Sequence, residues 1–167
     1  MPQERVGDVM TDPVAVELLA AAIPARFAYD GLDGFPRVVP VGIHWNGVEV
    51  VTCSPTNAAK VKALQAHPRV AMSIDTNVPP QKVLLVRGSA RVEIVDGVPD
   101  EYLAGVHKYV DNGDLDEQWF STFEQQVREL YQHMARISIT PEWAKVFDFQ
   151  SRIPKAVLDI VEGRATS

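Results

Sequence analysis

The sequence predicts a mainly β (α+β) fold: six or seven mostly antiparallel strands closed into a small barrel, with helices flanking it. Three observations lead there. Runs of β-branched and aromatic residues, broken by turn residues, fill Ala25 to Ile94 and resume from Ala135 to Phe149. Gly88 interrupts the longest run in its middle, where a small barrel turns a strand around a corner. Helical periodicity enters the strand region mainly as one block, between Pro99 and His133.

Length and composition fit a single domain. The 167 residues should form one folding unit spanning 1–167, with a helical insertion at about 99–133 and a loose tail at about 163–167. Hydrophobic residues make up 46% and charged residues 23%, as in an ordinary globular protein. With 16 Lys and Arg against 22 Asp and Glu, the net charge is −6, which argues against nucleic acid or an anionic membrane as main partner. Cys53 is the single cysteine, so no intrachain disulfide can form and a reducing compartment is expected. No apolar run approaches the roughly 20 residues of a membrane span. The start, MPQERVGDVMTD, lacks the apolar core of a secretion signal, so the cytoplasm is the expected location.

Asp12-Pro13 reads as an N-cap and first helical position, opening an amphipathic helix over 12–23 that stops before Pro24. Ala25 to Tyr29 is a strand, and Asp30 to Gly34 a turn. Asn46-Gly47 then marks a two-residue hairpin turn, which would pair Trp45 with Val48, Ile43 with Val50 and Val41 with Thr52. In that register His44 and Glu49 form a cross-strand surface pair. A helix from Ala58 to Leu64 follows, capped by Thr56 or Asn57. Val70, Met72 and Ile74 alternate as a strand, residues 76–81 form a Pro-rich loop, and Lys82 to Ile94 is the long strand. Asp96-Gly97 turns into a helix carrying Tyr102, Val106, Tyr109 and Val110. Asp111 to Asp114 breaks it, and a second helix carries Trp119, Phe120, Phe123, Val127, Leu130 and Tyr131. Such an aromatic stripe reads as core or dimer seam before it reads as a cofactor site. Ala135, Ile137 and Ile139 form a strand, Thr140-Pro141-Glu142 a turn, Trp143 to Phe149 the last strand, and 154–162 a terminal helix.

The chemistry concentrates between Arg37 and Lys60. The first turn of the helix after Asn57 offers free N–H groups and the positive end of the helix dipole. Lys60 lies within that turn, and Arg37 can reach it from the neighbouring strand. Two cations, a hydroxyl, an amide side chain and free N–H groups suit a phosphate, and an apolar hairpin face beside them suits a flat ring system. Elsewhere the sequence is quiet. His44, His67, His107 and His133 have no ligand-type partner at metal spacing, so no metal site is expected. No Gly-x-Gly-x-x-Gly, Gly-x-x-x-x-Gly-Lys or Gly-x-Ser-x-Gly occurs.

The ordered set Gly34 to Val41, Thr52, Asn57 to Val61 and His67-Pro68-Arg69-Val70 resembles the pyridoxamine 5'-phosphate oxidase-like FMN-binding split β-barrel family, in its flavin- and deazaflavin-dependent oxidoreductase branch. The resemblance extends from about Val14 to Phe149. It implies a homodimer with two cofactor sites at the subunit interface, using FMN or coenzyme F420 on a small organic substrate. It places Arg37, Val38, Pro40, Val41, Thr52, Ser54, Asn57 and Lys60 around the cofactor, with Lys82 and Trp143 completing the pocket from the second subunit. No catalytic side chain is implied, because the cofactor ring carries the electrons. The C-terminal Arg-Leu-x-Pro run of vitamin B6 oxidases is reduced here to Arg152-Ile153-Pro154, which argues against that substrate. The acidic tail of F420 would need further cations, for which Lys62, Lys82 and Arg87 are available. The alternative is a non-catalytic flavin-sequestering protein on the same barrel. A haem-binding relative is a third reading, disfavoured because His44 faces away from the pocket in the expected register.

Overall fold

The computed structural model describes residues 5–161. Two short helices, α1 (Val6–Met10) and α2 (Pro13–Ala20), precede the strands β1 (Ala25–Asp30), β2 (Pro36–Val41), β3 (His44–Trp45) and β4 (Val50–Pro55). Helix α3 (Ala59–Ala66) leads to β5 (Arg69–Asp75) and the long β6 (Lys82–Asp96). Helices α4 (Asp100–Asp111) and α5 (Glu117–Leu130) come before the equally long β7 (His133–Asp148) and α6 (Lys155–Val161). The fold class is mainly β with flanking helices, as the sequence predicts. The expectation for the tail from 163 onward lies outside the described residues.

Among the described residues seven strands form one antiparallel sheet, ordered β2-β1-β5-β6-β7-β4-β3. Its two edge strands, β2 and β3, are joined by Gly42 and Ile43 alone. Seven strands laid flat would put those edges about 29 Å apart at ~4.8 Å per strand. The connection from Val41 to His44 reaches only about 11 Å. The sheet must therefore curl until its edges meet, and the barrel follows from connectivity.

The bend sits in β6 and β7. Their pairing shifts between Arg87 and Gly88, with Gly88 opposite Pro141 and Ser89 opposite Thr140. A Cβ on Gly88 would lie 2.0 Å from the Thr140 carbonyl oxygen, so only glycine fits. Thr140-Pro141-Glu142 is thus not the expected turn. It is the interior of one continuous strand, and proline is tolerated there because the ladder is already irregular at the bulge.

Along β1 and β5 alternate residues point inward: Ala25, Phe27 and Tyr29, then Val70, Met72 and Ile74. They join Leu84, Val86, Ile137 and Ile139 in the main core, on which α2 lays Leu18 and Leu19. Asp12 caps α2 as expected, accepting from the Val14 N–H at 2.9 Å, but the helix ends at Ala20. Helix α1, which the sequence reading missed, buries Val9 and Met10. A second, separate cluster forms under α4 and α5 from Val98, Leu103, Val127 and Met134. Phe120, Phe123 and Tyr131 of the aromatic stripe pack onto it, whereas Trp119 and Leu130 stay exposed. No described helix is long and apolar enough to cross a membrane.

Candidate functional site

The hairpin forms in a different register from the expected one. Trp45 pairs with Val50 and His44 with Val51, so the His44–Glu49 pair does not occur. Asn46 explains the change. Its side-chain oxygen accepts the N–H groups of Val48 and Glu49 at 2.9 and 2.8 Å, which places Gly47-Val48 at the tip, Gly47 having φ +95°. Val41 likewise does not pair with Thr52. Strand β2 turns away at Gly42 and pairs with β1, setting Val41 opposite Ala25 and Arg37 opposite Tyr29.

A cleft of about 390 Å³ opens where the two sheet edges meet, within the size range of small-molecule sites. The end of β2 supplies Pro40, Val41 and Gly42, and β4 supplies Val51 to Pro55. Lys60 enters from the first turn of α3. The opposite wall is α4, whose Tyr102, Gly105, Val106 and Tyr109 recur at helical spacing on one face, with Glu101 beside them. The other face of α4, carrying Ala104, His107, Lys108 and Asp111, lines a second cleft of about 440 Å³ with His44 and Trp45. Helix α4 is therefore a partition between two clefts. Its close approach is allowed by Gly105, where a Cβ would lie 3.3 Å from the Ile43 carbonyl oxygen.

The polar groups of the first cleft fall into two sets. Glu101 and Arg136 neutralise each other, with the Arg136 Nη2 and Nε atoms 2.8 and 2.9 Å from Glu101 Oε1. Burial alone would raise the Glu101 carboxyl, but the Arg136 hydrogen bonds and charge outweigh it and hold the group below its ordinary range. Burial likewise pushes the Cys53 thiol up to about 12, helped by the Glu101 charge, which keeps it in the protonated thiol form at neutral pH. In contrast, Lys60 makes no ion pair or hydrogen bond through its ammonium among the described residues. Desolvation lowers its pKa, the mark of a cation held partly out of water without a counter-ion. Thr52 and Ser54 are 3% and 2% exposed, and their hydroxyls find no side-chain hydrogen bond either.

Five of the ten residues placed around a cofactor meet in this cleft: Pro40, Val41, Thr52, Ser54 and Lys60. Asn57 is exposed in the turn before α3, and neither it nor Thr56 caps the helix; the N-cap is Ala58. Arg37 lies on the other side of α3, paired with Asp33 at 2.8 Å and lining a separate cleft with Lys62. Lys82 binds Glu17 at 2.8 Å. Val38 and Trp143 sit on the outer face of the sheet, in an apolar trough of about 520 Å³ floored by Ala28 and Ala71. There the Arg87 guanidinium lies 4.1 Å over the Trp143 ring. The α4 wall was missed. Its signal was the spacing of Tyr102, Val106 and Tyr109, which reads equally as packing. Among the described residues no three potential metal ligands cluster.

No family model matches the sequence, and no curated protein does. Solved structures do. An F420 reductase is 26% identical, with a TM-score of 0.56 over 77% of this chain and 94% of that one. A Clostridium acetobutylicum protein related to general stress protein 26, of the pyridoxinephosphate oxidase family, is 13% identical, with a TM-score of 0.53 over 83% and 89% of the two chains. The fold is the pyridoxamine 5'-phosphate oxidase-like split barrel. The same split barrel occurs in the haem storage protein HutZ from Vibrio cholerae, at 15% identity and TM-score 0.56 over 86% of this chain and 94% of that one. The barrel alone therefore does not determine the chemistry.

Proposed function

We propose that this chain is an oxidoreductase that binds FMN or coenzyme F420 and passes hydride between the cofactor and a small organic substrate. The observation that carries this reading is Lys60, an unpaired, partly desolvated cation at the first turn of a helix, in a cleft whose other polar groups are neutral or paired. The donor set fits the cofactor. Lys60 would take the phosphate, with the Thr52 and Ser54 hydroxyls beside it. Pro40 and Val41 offer an apolar edge for the ring, and α4 forms the facing wall of the cleft. When bound, the flavin or deazaflavin ring supplies the hydride chemistry, and the protein supplies binding, orientation and exclusion of solvent. The 26% identity to an F420 reductase supports the deazaflavin, while Lys60, the one unpaired cation lining the cleft among the described residues, suits the shorter FMN.

The proposal includes a homodimer and a cytoplasmic setting. The outer trough supports the dimer: its floor is small and flat, Val38 is 67% exposed, and Val38 and Trp143 would then face the second copy. The test is fluorescence titration of apo-protein with FMN and with F420, for wild type and Lys60→Ala. Loss of a charge-assisted contact costs roughly 1.5–3 kcal/mol, which is more than tenfold in affinity. Binding of neither cofactor, or binding untouched by Lys60→Ala, would sink the assignment. Reoxidation of the bound reduced cofactor by an added acceptor separates an enzyme from a sequestering protein.

A further inference from the structure

The wall of the cleft facing Lys60 is chemically unusual. Tyr102 and Tyr109 stand two helical turns apart on the cleft face of α4, with Val106 between them. Both rings are half-buried, and neither phenol hydroxyl has a hydrogen-bond partner among the described residues. Each phenol O–H is thus free to donate a hydrogen bond to a ligand oxygen in the cleft. Among the described residues no free cation accompanies them on this wall. The Lys108 ammonium turns to the other side of the helix, where it donates to the Leu19 carbonyl oxygen at 2.6 Å. Arg136 is held by Glu101 and Glu93. Lys60, across the cleft, belongs to the cofactor phosphate in the reading above. The remaining charge near the wall is the Glu101 carboxylate, already matched by Arg136.

We infer that the molecule meeting the cofactor here is an uncharged planar carbonyl compound, whose oxygen accepts a hydrogen bond from Tyr102 or Tyr109. This rests on the cofactor reading and names the substrate class of the same site. A carboxylate, sulfonate or phosphate brought against α4 would lose water and gain no counter-ion, a penalty that selects against it. A flat neutral ring pays no such cost, and Val106 and Pro40 give it apolar surface.

The test is equilibrium dialysis of the cofactor-loaded protein with 2-acetylnaphthalene and with 2-naphthoate, repeated without added cofactor. The ketone should bind at least tenfold more tightly than the carboxylate. Tyr102→Phe or Tyr109→Phe should weaken ketone binding several-fold while changing naphthoate little. Val106→Lys, which adds a cation to the wall, should invert the preference. Naphthoate binding as tightly as the ketone in wild type, or ketone binding indifferent to both phenols, would overturn the inference. If a phenol variant fails to fold, the Val106→Lys inversion still decides. Failure to take up either FMN or F420 would instead overturn the cofactor reading, and the cofactor-free dialysis keeps the two failures apart.

Discussion

Lys108 shows how a single side chain couples the insertion to the rest of the molecule. Its ammonium ties α4 to the last turn of α2, and desolvation lowers its pKa from 10.5 to about 8. Between those values the unfolded chain holds more protons than the folded one, so stability should rise with pH from about 8 to 10.5. Melting temperatures of wild type and Lys108→Met across that window check this: the rise should be absent from the variant. Cys53 makes a second residue-scale prediction. With its thiol pushed up to about 12, native protein at pH 8 should react with iodoacetamide far more slowly than the urea-unfolded chain. The sequence reading of Cys53 as a small strand residue rather than a nucleophile agrees with this burial. Lys60 was legible because a cation just inside a helix after a polar loop has local meaning. The partner of Arg37 was not legible: Asp33, four residues away, captures it, and competition between a near carboxylate and a distant ligand leaves no trace in spacing.

At the scale of elements, two contacts set the geometry of the cleft. The Glu101–Arg136 pair pins the start of α4 to β7, and Glu101→Gln should cost about 1–2 kcal/mol at neutral pH. The Glu101 pKa is depressed in the fold, so this stability is present above its unfolded value near 4.5 and is lost as pH falls through the lower folded value. The gap in melting temperature between wild type and Glu101→Gln should accordingly close on acidification below about 4.5. Gly88→Ala should cost ~1–3 kcal/mol or more, because its Cβ meets the Thr140 carbonyl and the strands must part. Denaturant titration measures this; an unchanged midpoint would mean the bulge is not constrained. The Gly88 bulge, the alternation of β5 and the Asp12 cap were all legible, since each depends on neighbours in sequence. The hairpin register was not. The Asn46 side chain moved the turn by one residue, and a dipeptide rule does not contain that bond.

The whole molecule is a barrel because β2 and β3 lie at opposite edges of one sheet and only two residues join them. The small β-barrel was predictable from the strand count and Gly88, whereas the strand order was not, since β2 and β3 looked like one continuous arm of a hairpin. Assembly is the matching prediction. If the outer trough meets a second copy, Val38→Asp should leave the fold intact, since Val38 is 67% exposed, yet halve the mass seen by light scattering and weaken cofactor binding. A wild-type protein that is monomeric at micromolar concentration would remove the dimer.

The two hydrophobic clusters share no residue: one fills the barrel, the other underlies α4 and α5. The groups that would hold a cofactor ride mostly on the first, and Tyr102 opposite them packs on the second. Mutations at distant sites with no common partners tend to add independently. Apart from the ties made by Glu101, Gly105 and Lys108, substitutions on the cleft face of α4 should leave the packing of the barrel core largely unchanged. Such an arrangement lets one scaffold acquire new reactants by rewriting one helix face, and a library confined to Tyr102, Val106 and Tyr109 is where altered selectivity should be sought.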